Sequence, residues 1–369
     1  MTFQYNRYLH KVPTPIEMIN IMGVGGFNLR TIVECWGNPK SGKSTFTYQT
    51  AGMFLKKYKE HARVLICDSE ISADFLRMEY AFDIIPGVVL DEDGTENIVE
   101  GGDSRVVLVP GMTIEMAASF ILKYMKAWHE EGMVSLHVWD SISSSQPKSE
   151  YNEVLASVRD NKEANKWTGG MMLKPRLLAF FLNNMLAQLW STNAIIFLIN
   201  QARAKIGTYQ GGEMSGGGYA FKHDIHYSLR FNYKKSFNES IGNIRMGTMS
   251  SVTMDKSKFM PKIFDIPIFI YDDRGGVIDP VEEILMIAYD LGMVKSSGGW
   301  YSFSMAAKES MPDVPGMDSK YHGWAKLMDA IKNDMYEPLK TLLEKDIREK
   351  FALVNMAYDR AEQLEETPS

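Results

Sequence analysis

The sequence predicts an α/β fold: a mostly parallel, twisted central sheet covered by helices on both faces, with a small, mainly helical carboxyl-terminal domain. Three observations predict it. Short, almost wholly apolar runs alternate with helix-period segments across residues 31–199, the pattern of strands buried on both faces and joined by crossover helices. Acidic or amide residues close several of those runs, at Asp68, Asp140 and Asn200, where ligands of such sheets bind. From residue 279 onward, helical spacing replaces strand alternation.

The chain has 369 residues, 45% hydrophobic and 23% charged, an ordinary globular composition with room for a large core and an appendage. A net charge of −6 excludes a global basic field, so any nucleic-acid contact must be local. Two cysteines, Cys35 and Cys67, at the ends of expected core strands exclude a disulfide framework or a cysteine zinc site and fit reduced core thiols. No apolar run approaches the ~18 residues that cross a bilayer. The opening Met1–Arg7 lacks a signal peptide's apolar core, so no membrane contact and a cytoplasmic location are expected.

Three regions are expected: a lead-in over 1–22, where Pro13 and Pro15 preclude one long helix; a core over 23–274; and a small domain over 275–369 with an acidic tail. A turn at Gly23–Phe27 feeds a strand at Thr31–Trp36. The next nine residues, Gly37, Asn38, Pro39, Lys40, Ser41, Gly42, Lys43, Ser44 and Thr45, fit G-x-x-x-x-G-K-[ST]. A helix follows, with Phe46, Gln49/Thr50, Met53 and Phe54 on its period. Strand, glycine loop and helix in that order cradle phosphate: backbone N–H groups and the helix dipole point at its oxygens. Lys43 would then reach the β/γ-phosphates and the Ser44 hydroxyl would hold Mg²⁺, which makes this a nucleotide-binding loop.

Arg63–Asp68 is a second strand, a helix spans about 72–82, and an acidic, glycine-containing insertion over 86–103 reads as an exposed hairpin or loop. Val106–Val109 is a third strand. A helix over 113–131 aligns Ile114, Ala117, Ala118 and Ile121, and Val134–Asp140 is a fourth strand. Residues 146–174 are polar, basic and without a clear period. A helix over 175–191 leads to a strand at Ala194–Ile199 and a glycine-rich stretch from Gln201 to Gly218. The alternating segments 226–233, 246–254 and 262–271 read as antiparallel. Asp140, closing its strand, fits the acid that holds the Mg²⁺ shell. Glu70 or its neighbour Asp68 fits the carboxylate that orients an attacking water. Asn200-Gln201 is either a γ-phosphate sensor or a pair of amides satisfying the strand end.

Taken together, Gly25-Gly26-Phe27, Thr31–Glu34, the phosphate loop, Asp68-Ser69-Glu70, Trp139-Asp140-Ser141, Asn200–Gly207, Gly217–Lys222, Lys256-Ser257-Lys258 and Gly298–Ser302 stand in the order and spacing of the RecA family, which the chain resembles over residues 12–303. The segment from Gly275–Pro280 to Asp290–Val294 is most similar to the bacteriophage UvsX-type recombinases. The resemblance implies a RecA-like P-loop ATPase core that forms a filament of its own copies on single-stranded DNA, pairs it with double-stranded DNA and exchanges strands. It makes Glu70 the water-activating carboxylate, Gln201 the γ-phosphate sensor and Phe75 the adenine contact. Lys256 and Lys258 become cations reaching a neighbouring protomer's nucleotide, as an arginine finger does. DNA would lie along two loops: Lys162, Lys166, Trp167 and Lys174 in the first; Arg203, Lys205, Gly207, Gly217, Gly218 and Lys222 in or beside the second. Met171 and Met172 are further candidates for insertion between bases. A single-strand-binding protein and a mediator or loader are implied partners, and the location is the host cytoplasm if the chain is phage-encoded.

The lead-in is shorter than the family's amino-terminal polymerisation segment, with Tyr5 and Tyr8 as candidate contacts between protomers. The alternatives are an accessory protein that loads another recombinase and a ring helicase on the same core. The intact Lys43, Ser44, Glu70 and Asp140 set opposes the first; the Lys256/Lys258 pair opposes the second.

Overall fold

The computed structural model describes residues 10–91, 93–152, 173–204, 213–216, 222–238, 245–351 and 354–359. The chain divides into two compact units. The larger comprises residues 28–233 and 253–258, and the smaller 1–27, 234–252 and 259–369. Lys162, Lys166, Trp167, Met171, Met172, Lys205, Gly207, Gly217, Gly218, Tyr5 and Tyr8 lie outside the described residues.

The chain opens with β1 (Lys11–Val12), α1 (Glu17–Met22) and β2 (Phe27–Asn28). The larger unit then runs β3 (Thr31–Gly37), α2 (Lys43–Tyr58), β4 (Ala62–Asp68), α3 (Phe75–Phe82), β5 (Pro86–Leu90), β6 (Glu96–Ile98), β7 (Asp103–Pro110), α4 (Ile114–Glu130) and β8 (Val134–Asp140). It continues through α5 (Leu173–Leu189), β9 (Ala194–Ala204), β10 (Glu213–Ser215) and the first part of β11 (Tyr227–Asn238). Its strand order is β11-β3-β9-β8-β4-β7-β5-β6. Every neighbouring pair from β11 to β5 is parallel. This is the mostly parallel sheet that the apolar runs predict.

Both faces are covered, which is why the strands carry apolar residues on both sides. On one face α4 and α5 bury Ile114, Ala117, Ile121, Leu182 and Met185 against Ile32, Leu65 and Leu198. On the other, Phe46 of α2 sits 5.4 Å from the Phe231 ring and 6.3 Å from Phe197. Cys35 and Cys67 are buried free thiols.

Several boundaries differ from expectation: the strand expected at Ala194–Ile199 continues to Ala204. The helix expected over 72–82 begins at Phe75. The Asp68 carboxylate captures the N–H groups of Ser72 and Ala73, each at 2.7 Å, and Asp74 caps the helix by accepting from Leu76 and Arg77. The 86–103 insertion is a hairpin, but it belongs to the sheet: β5 pairs in parallel with β7 and antiparallel with β6. Its β6 residues are all exposed, as suits a short edge strand.

The smaller unit contains the remainder of β11, most of β12 (Arg245–Ser257), β13 (Ile266–Tyr271), β14 (Val277–Ile278), α6 (Pro280–Asp290), β15 (Val294–Ser297), β16 (Trp300–Phe303), α7 (Met305–Ser310), β17 (Tyr321–His322), α8 (Trp324–Ala330) and α9 (Tyr336–Lys350). The antiparallel pairing of β12 with β13 agrees with the alternation. Alongside the expected helices there is a small sheet of order β15-β16-β17. Buried Glu283 accepts the N–H groups of Glu17 and Met18 at 2.9 Å each, capping α1 from outside. Glu17 in turn receives Tyr336 Oη at 2.8 Å and Lys340 Nζ at 3.0 Å. Among the described residues, no helix is long and apolar enough to cross a membrane.

His137 on β8 is fully buried, stacked 5.6 Å from Trp128, with Nε2 2.9 Å from Ser135 Oγ. Burial drives its pKa from the ordinary 6.5 down to about 3. The folded state thus requires neutral imidazole, while the unfolded chain takes up a proton below its ordinary pKa. The stability contribution is complete above about pH 6.5 and is lost as pH falls toward 3, at roughly 1.4 kcal/mol per pH unit. Thermal unfolding should show the wild type losing about 2 kcal/mol between pH 6.5 and 5 from this group alone. His137→Leu should lack that component, and equal pH slopes in the two proteins would refute it.

Candidate active site

Strand register builds the site. Gly37 at the end of β3 lies opposite Gln201 of β9, and Asp68 at the end of β4 opposite Asp140 of β8. The carboxyl-terminal ends of β3, β4 and β8 therefore share one edge of the sheet, and β9, which runs on to Ala204, carries Gln201 between the phosphate-loop strand and the Asp140 strand.

The loop from Gly37 to Gly42 needs glycine for two separate reasons. Gly37 has φ +148°, and an added Cβ would lie 2.1 Å from the Phe231 carbonyl oxygen. Gly42 caps α2 with φ 97°, a left-handed conformation that costs glycine nothing. The first-turn N–H groups at Lys43, Ser44 and Thr45 have no intrahelical acceptor and sit at the positive end of the helix dipole. Ser41 Oγ donates to Asn38 O at 2.7 Å, and Lys43 Nζ donates to Gly37 O at 3.1 Å and Asn38 O at 2.8 Å. Pro39 and Lys40 lie between them, Lys40 with φ 61°. Lys43 is buried, which lowers its pKa, while Asp140 and Glu70 act the other way. A buried ammonium beside donor-rich backbone fits a polyphosphate.

Asp140 is 1% exposed, receives hydrogen bonds from Ser44 and from Tyr48 Oη at 3.3 Å, and has its pKa pushed up to about 6. Burial is the main cause, and the nearby Glu70 and Asp68 charges add to it. Crowded carboxylates beside a serine hydroxyl fit a divalent cation. Among the described residues, no group of three or more His, Cys, Asp or Glu side chains is placed to hold a metal. Mg²⁺ would therefore draw most of its ligands from water and phosphate, as it commonly does.

The two candidate carboxylates after β4 separate cleanly. Asp68 is 1% exposed and accepts from the N–H groups of Glu70, Ser72 and Ala73, so it organises the loop. Glu70 Oε1 receives Ser141 Oγ at 2.6 Å and Gln201 Nε2 at 3.4 Å. The structure thus brings Lys43, Ser44, Glu70, Asp140 and Gln201 into one cluster. Thr45 adjoins it, its Oγ1 receiving Arg77 at 3.1 Å. Phe75 opens α3 and is 40% exposed, so it is not part of the core.

Lys256 Nζ donates to the carbonyls of Lys222 and His223, and Lys258 N donates to His226 O. Arg203 is exposed on β9, opposite Met214. Lys174 Nζ is held by Ser143 O at 2.8 Å and Ser145 O at 2.7 Å, its pKa lowered to about 8 by burial and then by Arg203. The residue types alone did not single out Tyr48, Arg77 or the serines 143–145. Tyr48 had a signal, since it stands four residues after Ser44 and shares its helix face.

No family model matches the chain. Among curated proteins it is similar to Protein RecA of Malacoplasma penetrans, 28% identical over 290 residues, covering 78% of this chain and 76% of that protein. Protein RecA of Phytoplasma mali is 26% identical over 303 residues, with 81% and 77% covered. Protein RecA of Thermus aquaticus is 26% identical over 287 residues, with 76% and 72% covered. These similarities support a RecA-family assignment.

Because a Cβ at Gly37 has only the Phe231 backbone to displace, Gly37→Ala should cost stability on the order of 1–3 kcal/mol. It should also weaken binding of a fluorescent ATP analogue at least about tenfold, since the loop moves with the strand end. Thermal unfolding and a fluorescence titration check this; wild-type values in both would refute the close approach.

Proposed function

We propose that this chain is an ATP-driven DNA recombinase of the RecA type, acting as a filament of its own copies on single-stranded DNA and exchanging strands with a homologous duplex. The observation that carries the reading is the common strand edge where Lys43, Ser44, Asp140, Glu70 and Gln201 meet. The similarity to RecA proteins supports the choice among P-loop ATPases and implies hydrolysis that depends on DNA.

In this reading the loop 37–45 binds the ATP phosphates through backbone N–H groups and Lys43. Ser44 and Asp140 would hold Mg²⁺, which would supply charge neutralisation at the phosphates. Glu70, oriented by Ser141, takes the proton of the attacking water. Gln201, which shares Glu70's oxygen, reports the γ-phosphate to the segment that follows β9. Phe75 stacks on the adenine base. Lys256 and Lys258 serve the neighbouring copy's nucleotide; Lys256 is fastened to residues 222 and 223 rather than to its own chain's Glu70–Ser141 cluster. Exposed Ile71, Leu76 and Tyr80, at 73%, 78% and 75%, surround Phe75 in sequence and suit burial by another copy.

DNA is held by Arg203, Lys222 and the cations of residues 160–174 and 205, through phosphate and without sequence preference. The 275–294 motifs favour the bacteriophage UvsX type within the family, working with a single-strand-binding protein and a mediator. Domain limits at 22 and 274 belong to the same proposal.

ATP hydrolysis should rise strongly with single-stranded DNA and the stimulation should weaken with salt. Lys43→Ala should abolish it. Glu70→Gln should retain nucleotide and lower kcat about 10²- to 10⁴-fold. Tight DNA binding with no DNA-dependent hydrolysis would overturn the recombinase reading and favour an accessory loader.

A further inference from the structure

Strand β3 carries a completely buried carboxylate, Glu34, three residues before Gly37, and the chemistry proposed above gives it no task. A buried carboxylate persists only where donors saturate it. Glu34 takes donors from three other strands: Ser228 Oγ of β11 at 2.7 Å, Asn200 Nδ2 of β9 at 3.1 Å, and the Ser215 side chain of β10. Burial raises its pKa and these hydrogen bonds oppose the rise.

Asn200 extends the connection in two directions. Its Nδ2 also donates to Gly216 O at 2.9 Å, and its Oδ1 accepts from the Gln201 N–H at 3.0 Å. β10 lies antiparallel on the end of β9, Ser215 opposite Ala202 and Met214 opposite Arg203. One carboxylate thus fixes the residue beside Gln201 and the strand that returns after residue 212. An apolar side chain would fill the same space without tying β10 to β9.

We propose that Glu34 is a positioning residue that couples the nucleotide-facing end of β9 to β10, so that a displacement at Gln201 is passed to both strands flanking residues 205–212. The inference rests on the reading above, in which Gln201 meets nucleotide and this segment meets DNA. Ser228 provides an internal control: it loads the same carboxylate from β11, off the path between β9 and β10.

The test is anisotropy of a fluorescent oligo(dT) titrated with the full chain in ATPγS and in ADP. Wild type should bind at least about tenfold tighter in ATPγS, within the usual range of coupling between two sites. Glu34→Gln places an amide N–H among donors, so one partner must turn away. Its ATPγS-to-ADP ratio should fall below about threefold. Ser215→Ala should lower the ratio in the same direction, and Ser228→Ala should leave it within about twofold of wild type. A wild-type ratio in Glu34→Gln, or equal losses in Ser215→Ala and Ser228→Ala, would overturn the coupling role while leaving the recombinase reading intact. A wild type without any nucleotide dependence would overturn both.

Discussion

The position of β3 constrains everything else in the larger unit. It is buried along its whole length, with β11 on one side and β9 on the other. A slip of one residue would exchange its two faces, moving Glu34 away from Asn200 and Ser228. It would also carry Gly37 away from the Phe231 carbonyl that only a glycine tolerates at that distance. Register therefore fixes at once where the phosphate loop begins and which amide of β9 stands beside it. The α2 helix follows, because Phe46 must fill the space between Phe197 and Phe231.

The site's electrostatics follow from gathering charge at one buried edge. Asp68, Asp140 and Glu70 come together with one buried lysine. Each carboxylate is handled differently. Asp68 is occupied by backbone N–H groups, and Glu70 is held by a serine and an amide. Asp140 is the most strained electrically, with only hydroxyl donors and a raised pKa. A cation beside it would favour its ionised form, so the same crowding favours a metal–nucleotide ligand.

Much of this was legible in the sequence. The fold class came from fully apolar strands, since burial on both faces leaves no alternation to misread. The phosphate loop and Asp140 came from motif and strand end. Spacing alone left Asp68 and Glu70 equivalent and only the resemblance favoured Glu70, because two acids two residues apart look alike until Asp68 is seen holding the N–H groups of Ser72 and Ala73. That capture also explains the late start of α3, which side-chain periodicity cannot show. The 86–103 insertion was legible only as an exposed hairpin or loop, and its membership of the sheet was not visible, because pairing with β7 depends on contacts distant in sequence. Glu34 was hardest to interpret: a lone acid inside an apolar run gives no sign of its partners at residues 200, 215 and 228.

On the proposed reading, the contact between Gln201 and Glu70 is the point at which nucleotide would act on this edge. At 3.4 Å it is a long hydrogen bond, at the weak end of the geometric range. Ser141 already satisfies the same oxygen at 2.6 Å. Gln201 therefore forgoes little by exchanging Glu70 for a better acceptor, whereas Asn200 beside it is held by Glu34 and Gly216. A ligand shifts a conformational equilibrium only through unequal interaction with its two states. A γ-phosphate supplies that inequality on the proposed reading, since ATP presents a charged acceptor that ADP lacks. On that reading, a loosely held Gln201 beside a firmly held Asn200 would let this difference be expressed at Gln201 and carried by the strand pair behind it.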